Sequence, residues 1–153
     1  MDIAEQYDKI YRYCYFRLRD KQLAQDITQE TFLRFYRQDM TLDNDKELPY
    51  LYTIAKNLCV DEFRRKSFVS IEDIEEEADF DKSEEWINNL AVKSAMKKLP
   101  QEEQELLFLR YVNEISVALI CKTIGISRFS VYRRLSKALK KLKEELKKEG
   151  FPE

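Results

Sequence analysis

Three observations predict an all-α chain. Among 153 residues there are 2 Gly and 3 Pro, too few for an all-β chain, which needs a turn former every ten residues or so. Apolar side chains recur at helical spacing through most of the sequence. Charged residues make up 37% and aromatics 12%, a balance that supports packed cores and argues against wholesale disorder. The length fits one ordinary domain or two small ones.

Before residue 67 the pattern gives three helices. The first, over 3–18, places Ile3, Tyr7, Ile10, Tyr11, Cys14 and Leu18 on one stripe. Asp20 caps a second over 21–38, with Leu23, Ala24, Ile27, Thr31 and Phe35 inward. After a polar loop over 39–47, the third is expected to start near Pro49, where a first-turn proline is favourable. It runs to Lys66 with Leu51, Ile54, Ala55, Leu58 and Phe63 inward.

Beyond the middle of the chain a helix is expected over 84–98, with Trp86, Leu90 and Ala95 or Met96 inward. Pro100 starts another, running to Tyr111 and burying Leu106, Leu107 and either Leu109 or the stem of Arg110, with glutamates in its first turn. A short helix over 116–123 leads into Ile124-Gly125-Ile126, and Cys121 is small enough for close helix approach there. Ser127 caps a long last helix with Val131, Leu135, Ala138 or Leu139, Leu142 and Leu146 inward. It ends at Gly150, where Phe151 can fold back in a C-cap.

Charge is segregated along the chain. Residues 1–66 carry 12 basic and 12 acidic side chains, 67–92 carry one basic and 9 acidic, and 93–153 carry 14 basic and 8 acidic. The acidic stretch has a linker's composition, so the expected domains are 1–66 and 93–153, joined by a linker at 67–92. A formal net charge of −2 therefore does not oppose a nucleic-acid partner, because the local field governs such contacts.

With no His, no phosphate-binding loop and no metal-ligand spacing, an enzyme is not expected, nor is a cofactor. Cys14, Cys59 and Cys121 lie far apart and read as buried thiols of a reducing cytoplasm. The longest apolar run, Val117 to Cys121, cannot span a bilayer, and the N-terminus does not read as a signal peptide. A cytoplasmic protein is expected.

Three motifs carry function. A short helix, a glycine turn and a serine-capped, Arg-rich helix form a helix-turn-helix pattern. Its second helix turns Arg128, Ser130, Tyr132, Arg133, Arg134 and Lys137 outward, with Arg suited to guanine edges and Lys and Ser to phosphates. On the second helix of the chain, Asp26, Gln29 and Glu30 share one patch that suits a basic protein partner. On the third, Thr53, Asn57, Asp61 and Arg64 form a polar stripe flanked by Lys56, Arg65 and Lys66. Tyr50 and Tyr52 lie at its start as stacking platforms for unpaired bases.

The segments AQDITQETFLRFYR (24–37), PYLYTIAKNLCVDEFRRK (49–66), LPQEEQELLFLRYVNEIS (99–116) and GISRFSVYRRLSKALKKL (125–142) resemble the extracytoplasmic-function (ECF) sigma factors of bacterial RNA polymerase, in order and spacing. The resemblance implies a three-helix region 2 bundle and a helix-turn-helix region 4. Asp26, Gln29, Glu30 and Phe32 would bind core polymerase, the polar members docking on the basic coiled coil of β′. Tyr50, Lys56, Asn57, Arg64 and Arg65 would engage the melting −10 element, with a flipped base pocketed by the 39–47 loop. Arg128, Ser130, Tyr132, Arg133, Arg134 and Lys137 would lie at the −35 element. The linker would thread toward the RNA exit path of the core, whose β and β′ subunits are the expected partners together with promoter DNA and an anti-sigma factor. Free protein is expected to bind duplex DNA poorly, because polymerase spaces its halves.

Tyr50 stands where the family commonly has Trp, and Phe129 and Tyr132 are bulky for a recognition helix. Val117-Ala118-Leu119 replaces acidic residues with an apolar surface suited to an inhibitor. Two alternatives to a sigma factor are an autonomous helix-turn-helix regulator and a sigma mimic that titrates an anti-sigma factor.

Overall fold

The computed structural model describes residues 2–38, 44–68, 90–148 and Gly150. The described residues form helices joined by short turns, without a strand among them. The chain divides into two compact units, one within Met1–Glu77 and the other within Ala78–Glu153.

The first unit packs α1 (Ile3–Leu18), α2 (Lys21–Arg37) and α3 (Asn44–Phe68) against one another. Side-chain oxygens set the first two starts: Asp2 accepts from the Glu5 N–H (2.9 Å) and Asp20 from the Leu23 N–H (3.0 Å), each satisfying an amide that the helix leaves open. On α1 the buried face is wider than a single stripe. Ile10, Cys14 and Leu18 are inside as expected, but so are Tyr13, Tyr15 and Phe16, while Ile3 is exposed. Tyr13 meets Tyr52 of α3 edge to face, with ring centroids 5.5 Å apart. The Cys14 and Cys59 thiols lie against each other in the core. Thr28 and Thr31, fully buried on α2, donate their hydroxyls to the carbonyls of Ala24 and Ile27 at 2.7 Å, so neither leaves a polar group unmatched.

Helix α3 departs from the sequence expectation at its start. It begins at Asn44, so Pro49 lies inside the helix and not in its first turn. Leu48 and Pro49 are both buried, and their packing outweighs the one amide that proline cannot donate. The loop expected over 39–47 is therefore shorter: 44–47 are helical, and 39–43 lie outside the described residues. Phe63, expected inward, is half exposed, and the Arg17 guanidinium sits 5.5 Å from its ring centre. Residues 67–68 and 90–92, expected in the linker, belong to helices, and 69–89, with Trp86, lie outside the described residues.

The second unit comprises α4 (Leu90–Lys97), α5 (Gln101–Leu107), a π-helical turn (Phe108–Val112), α6 (Val117–Ile124) and α7 (Arg128–Lys148). The π turn, closed by Asn113 N–H donating to the Phe108 carbonyl (3.0 Å), widens the helix where Leu106, Leu107, Phe108 and Leu109 are all buried. Both Ala95 and Met96 are inside. Ser116 caps α6, accepting from the Leu119 N–H (3.2 Å), and Ser127 accepts from the Ser130 N–H (3.1 Å) at the start of α7. Gly125 closes α6 in the left-handed region, φ 84°, with its N–H donating to the Cys121 carbonyl. Cys121 itself is half-buried. Val117, expected to help form an exposed apolar surface, is buried, Leu119 is half-buried, and of the three only Ala118 is exposed. Val117 shares the inward side of α6 with the fully buried Ile120 three residues on, which removes that surface. Phe151 lies outside the described residues.

Gly125 is held for its backbone, since a Cβ there would meet nothing within 4 Å. Gly125→Ala is expected to destabilise the second unit by about 1–2 kcal/mol, the cost of a β-carbon in the left-handed region, and Gly125→Asn by less. Hydrogen exchange at Ile120 and Val131 reports this locally; unchanged protection in Gly125→Ala would contradict it.

Candidate nucleic-acid interface

A helix rotates about 100° per residue, so its inward residues fix what its outer face presents. On α3, Leu51, Ala55 and Cys59 are fully buried. Opposite them, Tyr50, Thr53, Asn57, Asp61 and Arg64 fall on one line spanning about 21 Å. Thr53, Asn57, Asp61 and Arg64 are exposed, and Lys56 and Arg65, also exposed, lie on the two flanks. Arg64 stands 3.9 Å from Asp61. Arg65 forms an ion pair with Glu62, whose hydrogen bond and charge raise the guanidinium pKa further. Tyr50 is half-buried and anchored: its hydroxyl donates to Gln38 Oε1 at 2.6 Å, and its ring meets Phe35 edge-on at 6.0 Å. Tyr52 cannot stack on a base. It is 2% exposed, two residues out of phase with Tyr50 and turned into the core.

On α2, Asp26 and Gln29 are exposed and Glu30 half-exposed on one face. Gln22 Nε2 donates to Asp26 Oδ1 (3.1 Å), and Arg34 Nε donates to Glu30 Oε2 (2.9 Å). That hydrogen bond, together with the Arg34 and Arg37 charges, holds the Glu30 carboxyl below the usual glutamate range. Phe32 does not belong to this face. It is 9% exposed and packs against Tyr7 at 5.4 Å, because two residues of helix carry it about 200° from Glu30. The apolar member of the face is Leu33, half exposed. Sequence reading missed it, although its i+3 spacing from Glu30 was the available signal. Tyr7, Gln29, Phe32, Leu33 and Tyr36 line an open groove of about 300 Å³ beside the face.

On α7 the inward line is Val131, Leu135, Ala138 and Leu142, all buried. The opposite face carries Phe129, Tyr132, Arg133, Ser136, Lys137 and Lys140, all exposed. Of the other expected residues, Arg128 is exposed at the helix start, while Ser130 and Arg134 are half-buried on one flank. Farther along, Lys141 lies 3.4 Å from Glu103 and Glu145 lies 3.6 Å from Lys98, tying the second half of α7 to its own unit. The helix is thus fixed at one end and presents a cationic, aromatic surface at the other.

Two family descriptions match the chain, Sigma-70 region 2 over residues 3–69 and Sigma-70 region 4 over residues 89–142. The ECF RNA polymerase sigma factor BldN of Streptomyces coelicolor is 32% identical over 135 residues, covering 80% of this chain and 51% of BldN, about half that protein's length. SigW of Bacillus subtilis, another ECF sigma factor, is 30% identical over 164 residues, covering 95% of this chain and 88% of SigW. SigM of the same organism is 29% identical, covering 88% of this chain and 86% of SigM. Among solved structures, the sigma factor RpoE of Bartonella quintana, crystallised with the anti-sigma factor NepR, shares the fold with a TM-score of 0.66 at 18% identity, covering 93% of this chain and 92% of RpoE.

The Glu30 pair gives a titration prediction. Because its folded-state pKa is depressed, the pair's contribution is complete above the ordinary glutamate value and is lost as pH falls through the depressed one. Arg34→Ala should move the Glu30 midpoint upward in a carbon-detected NMR titration; an unmoved midpoint would show that Arg34 does not hold the carboxylate.

Proposed function

The chain belongs to the ECF sigma factors of RNA polymerase, and on that premise we propose how its two units divide the selection of a promoter. The carrying observation is the α3 line, an amide and a guanidinium exposed beyond an anchored tyrosine while Leu51, Ala55 and Cys59 opposite are buried. Asn57 takes base edges of the −10 strand once they are unpaired, Tyr50 offers the free part of its ring for stacking, and Lys56, Arg64 and Arg65 follow the phosphates. Base stacking at about 1–3 kcal/mol per base offsets the cost of unstacking.

On α2, Asp26, Gln29 and Glu30 dock on a basic coiled coil of the polymerase β′ subunit, with Leu33 as the apolar contact. Arg34 pre-orders Glu30 for this role. On α7, Arg128, Tyr132 and Arg133 enter the major groove at the −35 element, with Ser130, Arg134 and Lys137 on the phosphate flank. The polymerase supplies the chemistry and this chain supplies the site. RpoE was solved in complex with the anti-sigma factor NepR, and an anti-sigma factor is likewise the proposed regulator of this chain. No helix among the described residues is long and apolar enough to cross a membrane, and the proposed place of action is the cytoplasm, with the polymerase.

Runoff transcription and permanganate footprinting with core polymerase test the reading. Asn57→Ala with Arg64→Ala should lower strand opening at least tenfold, about 1.4 kcal/mol or more, while core co-purification is unchanged. Unaltered opening would remove α3 from the −10 contact.

Asp26→Lys with Glu30→Lys should abolish co-purification with core, and normal co-purification would remove α2 from the docking role. Lys137→Ala should lower the salt slope of −35 binding by about 1; an unchanged slope would take Lys137 off the phosphates.

A further inference from the structure

Phe129 is 76% exposed, the most exposed of the large apolar side chains described. It lies in the first turn of α7, about 160° around the helix from the buried Val131. Arg133 follows it one turn later on the same outward face, and Tyr132 and Lys137 flank that line. A phenylalanine there adds nothing to the core, and Tyr132, 54% exposed three residues on, makes this outward face aromatic as well as cationic.

We propose that Phe129 reads the C5-methyl group of a thymine in the −35 element and is a specificity-determining residue of promoter selection. The inference rests on the reading of α7 as the −35 helix. The first turn of a recognition helix goes deepest into the major groove. Of the features a base pair shows there, all are hydrogen-bonding groups except the thymine methyl. A hydrocarbon ring placed against the amino group of adenine or cytosine would strip water from it without replacing the bond. Against the methyl it buries apolar surface on both sides. The cations around Phe129 favour DNA over an apolar protein partner, because a protein covering the ring would also have to cover Arg128 and Arg133.

Geometry also places the thymine. Phe129 and Arg133 are four residues apart, about 6 Å along the axis, and base pairs repeat every 3.4 Å or so. The thymine therefore lies within about two base pairs of the guanine that Arg133 contacts.

The test uses full-length protein with core polymerase and a promoter selected from a library randomised at the −35 region. Each −35 thymine is replaced in turn by deoxyuridine, which removes the methyl and nothing else. Wild-type holoenzyme should bind about fourfold less tightly at one such position, the factor one buried methyl-sized group is worth. Phe129→Ala should reduce that ratio to near one, Phe129→Leu should keep part of it, and Arg133→Ala should keep it while weakening binding overall.

Equal binding of thymine and uracil at every position, or no thymine within two base pairs of the Arg133-dependent guanine, overturns the inference and leaves the −35 reading intact if Arg133→Ala still weakens binding. Loss of core binding by Phe129→Ala without DNA would make the ring a protein contact and also overturn it. Indifference to −35 sequence and to Arg133→Ala alike would instead overturn the reading of α7 itself.

Discussion

The rotation of α7 about its own axis is the constraint on which the second unit depends. Val131, Leu135, Ala138 and Leu142 fix it, all buried at 7% exposure or less. Each large apolar side chain so buried contributes about 1.5–3 kcal/mol. The exposed ion pairs that could compete are worth about 0–1 kcal/mol. Packing therefore decides which way the helix faces, and charge follows. Moving the inward line by one residue would swing Arg133 by about 100° and turn Phe129 toward a flank. The same holds on α3, where Leu51, Ala55 and Cys59 set the direction of Asn57.

Some local choices are poor for folding and accord with the proposed contact to a polyanion. Arg128 opens α7 and the first turn carries no acidic residue, so a cation sits at the positive end of the helix dipole. Arg133, Arg134 and Lys137 follow without an acidic residue between them. From Lys141 onward the pattern changes. Lys141 faces Glu103, and Glu145 faces both Lys98 and Lys148, so these charges are matched within the unit. The charges matched within the unit thus begin at Lys141, past the stretch proposed to meet DNA.

Where caps and periodicity acted locally, the fold was legible in the sequence. The limits of α1, the Asp20 and Ser127 caps and the left-handed Gly125 follow from single side chains and their neighbours. Misplaced residues were those decided by contacts between helices. The start of α3 was read from Pro49 by a local rule, but burial of Leu48 and Pro49 extends the helix ahead of it. Tyr52 resembled a stacking platform beside Tyr50 until Tyr13 of α1 occupied its ring face. The family motif places Phe32 beside Glu30, whereas helical phase selects Leu33. Composition does not encode the π turn either, where four successive apolar residues from Leu106 to Leu109 are buried together.

The two helices proposed to face DNA differ in what they could distinguish, and the difference follows from their side chains. A cation near a phosphate binds duplex and single strand alike, so in that reading Lys56, Arg64 and Arg65 would raise affinity for both, and Asn57 would carry most of the opening. Strand separation is driven only by contacts that exist after the bases part, as any transition is driven only by differential binding. On α3 those are the Asn57 amide and the free part of the Tyr50 ring, which need exposed base edges and faces. With its hydroxyl already donated to Gln38, Tyr50 presents that ring without first losing rotamer freedom, a cost of roughly 0.5–1.5 kcal/mol for a mobile side chain. Helix α7 has the opposite requirement: its groups match an intact major groove and lose their register when the duplex opens. In the proposed reading one unit therefore holds closed DNA in place while the other captures what has opened, and neither role could be exchanged by redistributing positive charge.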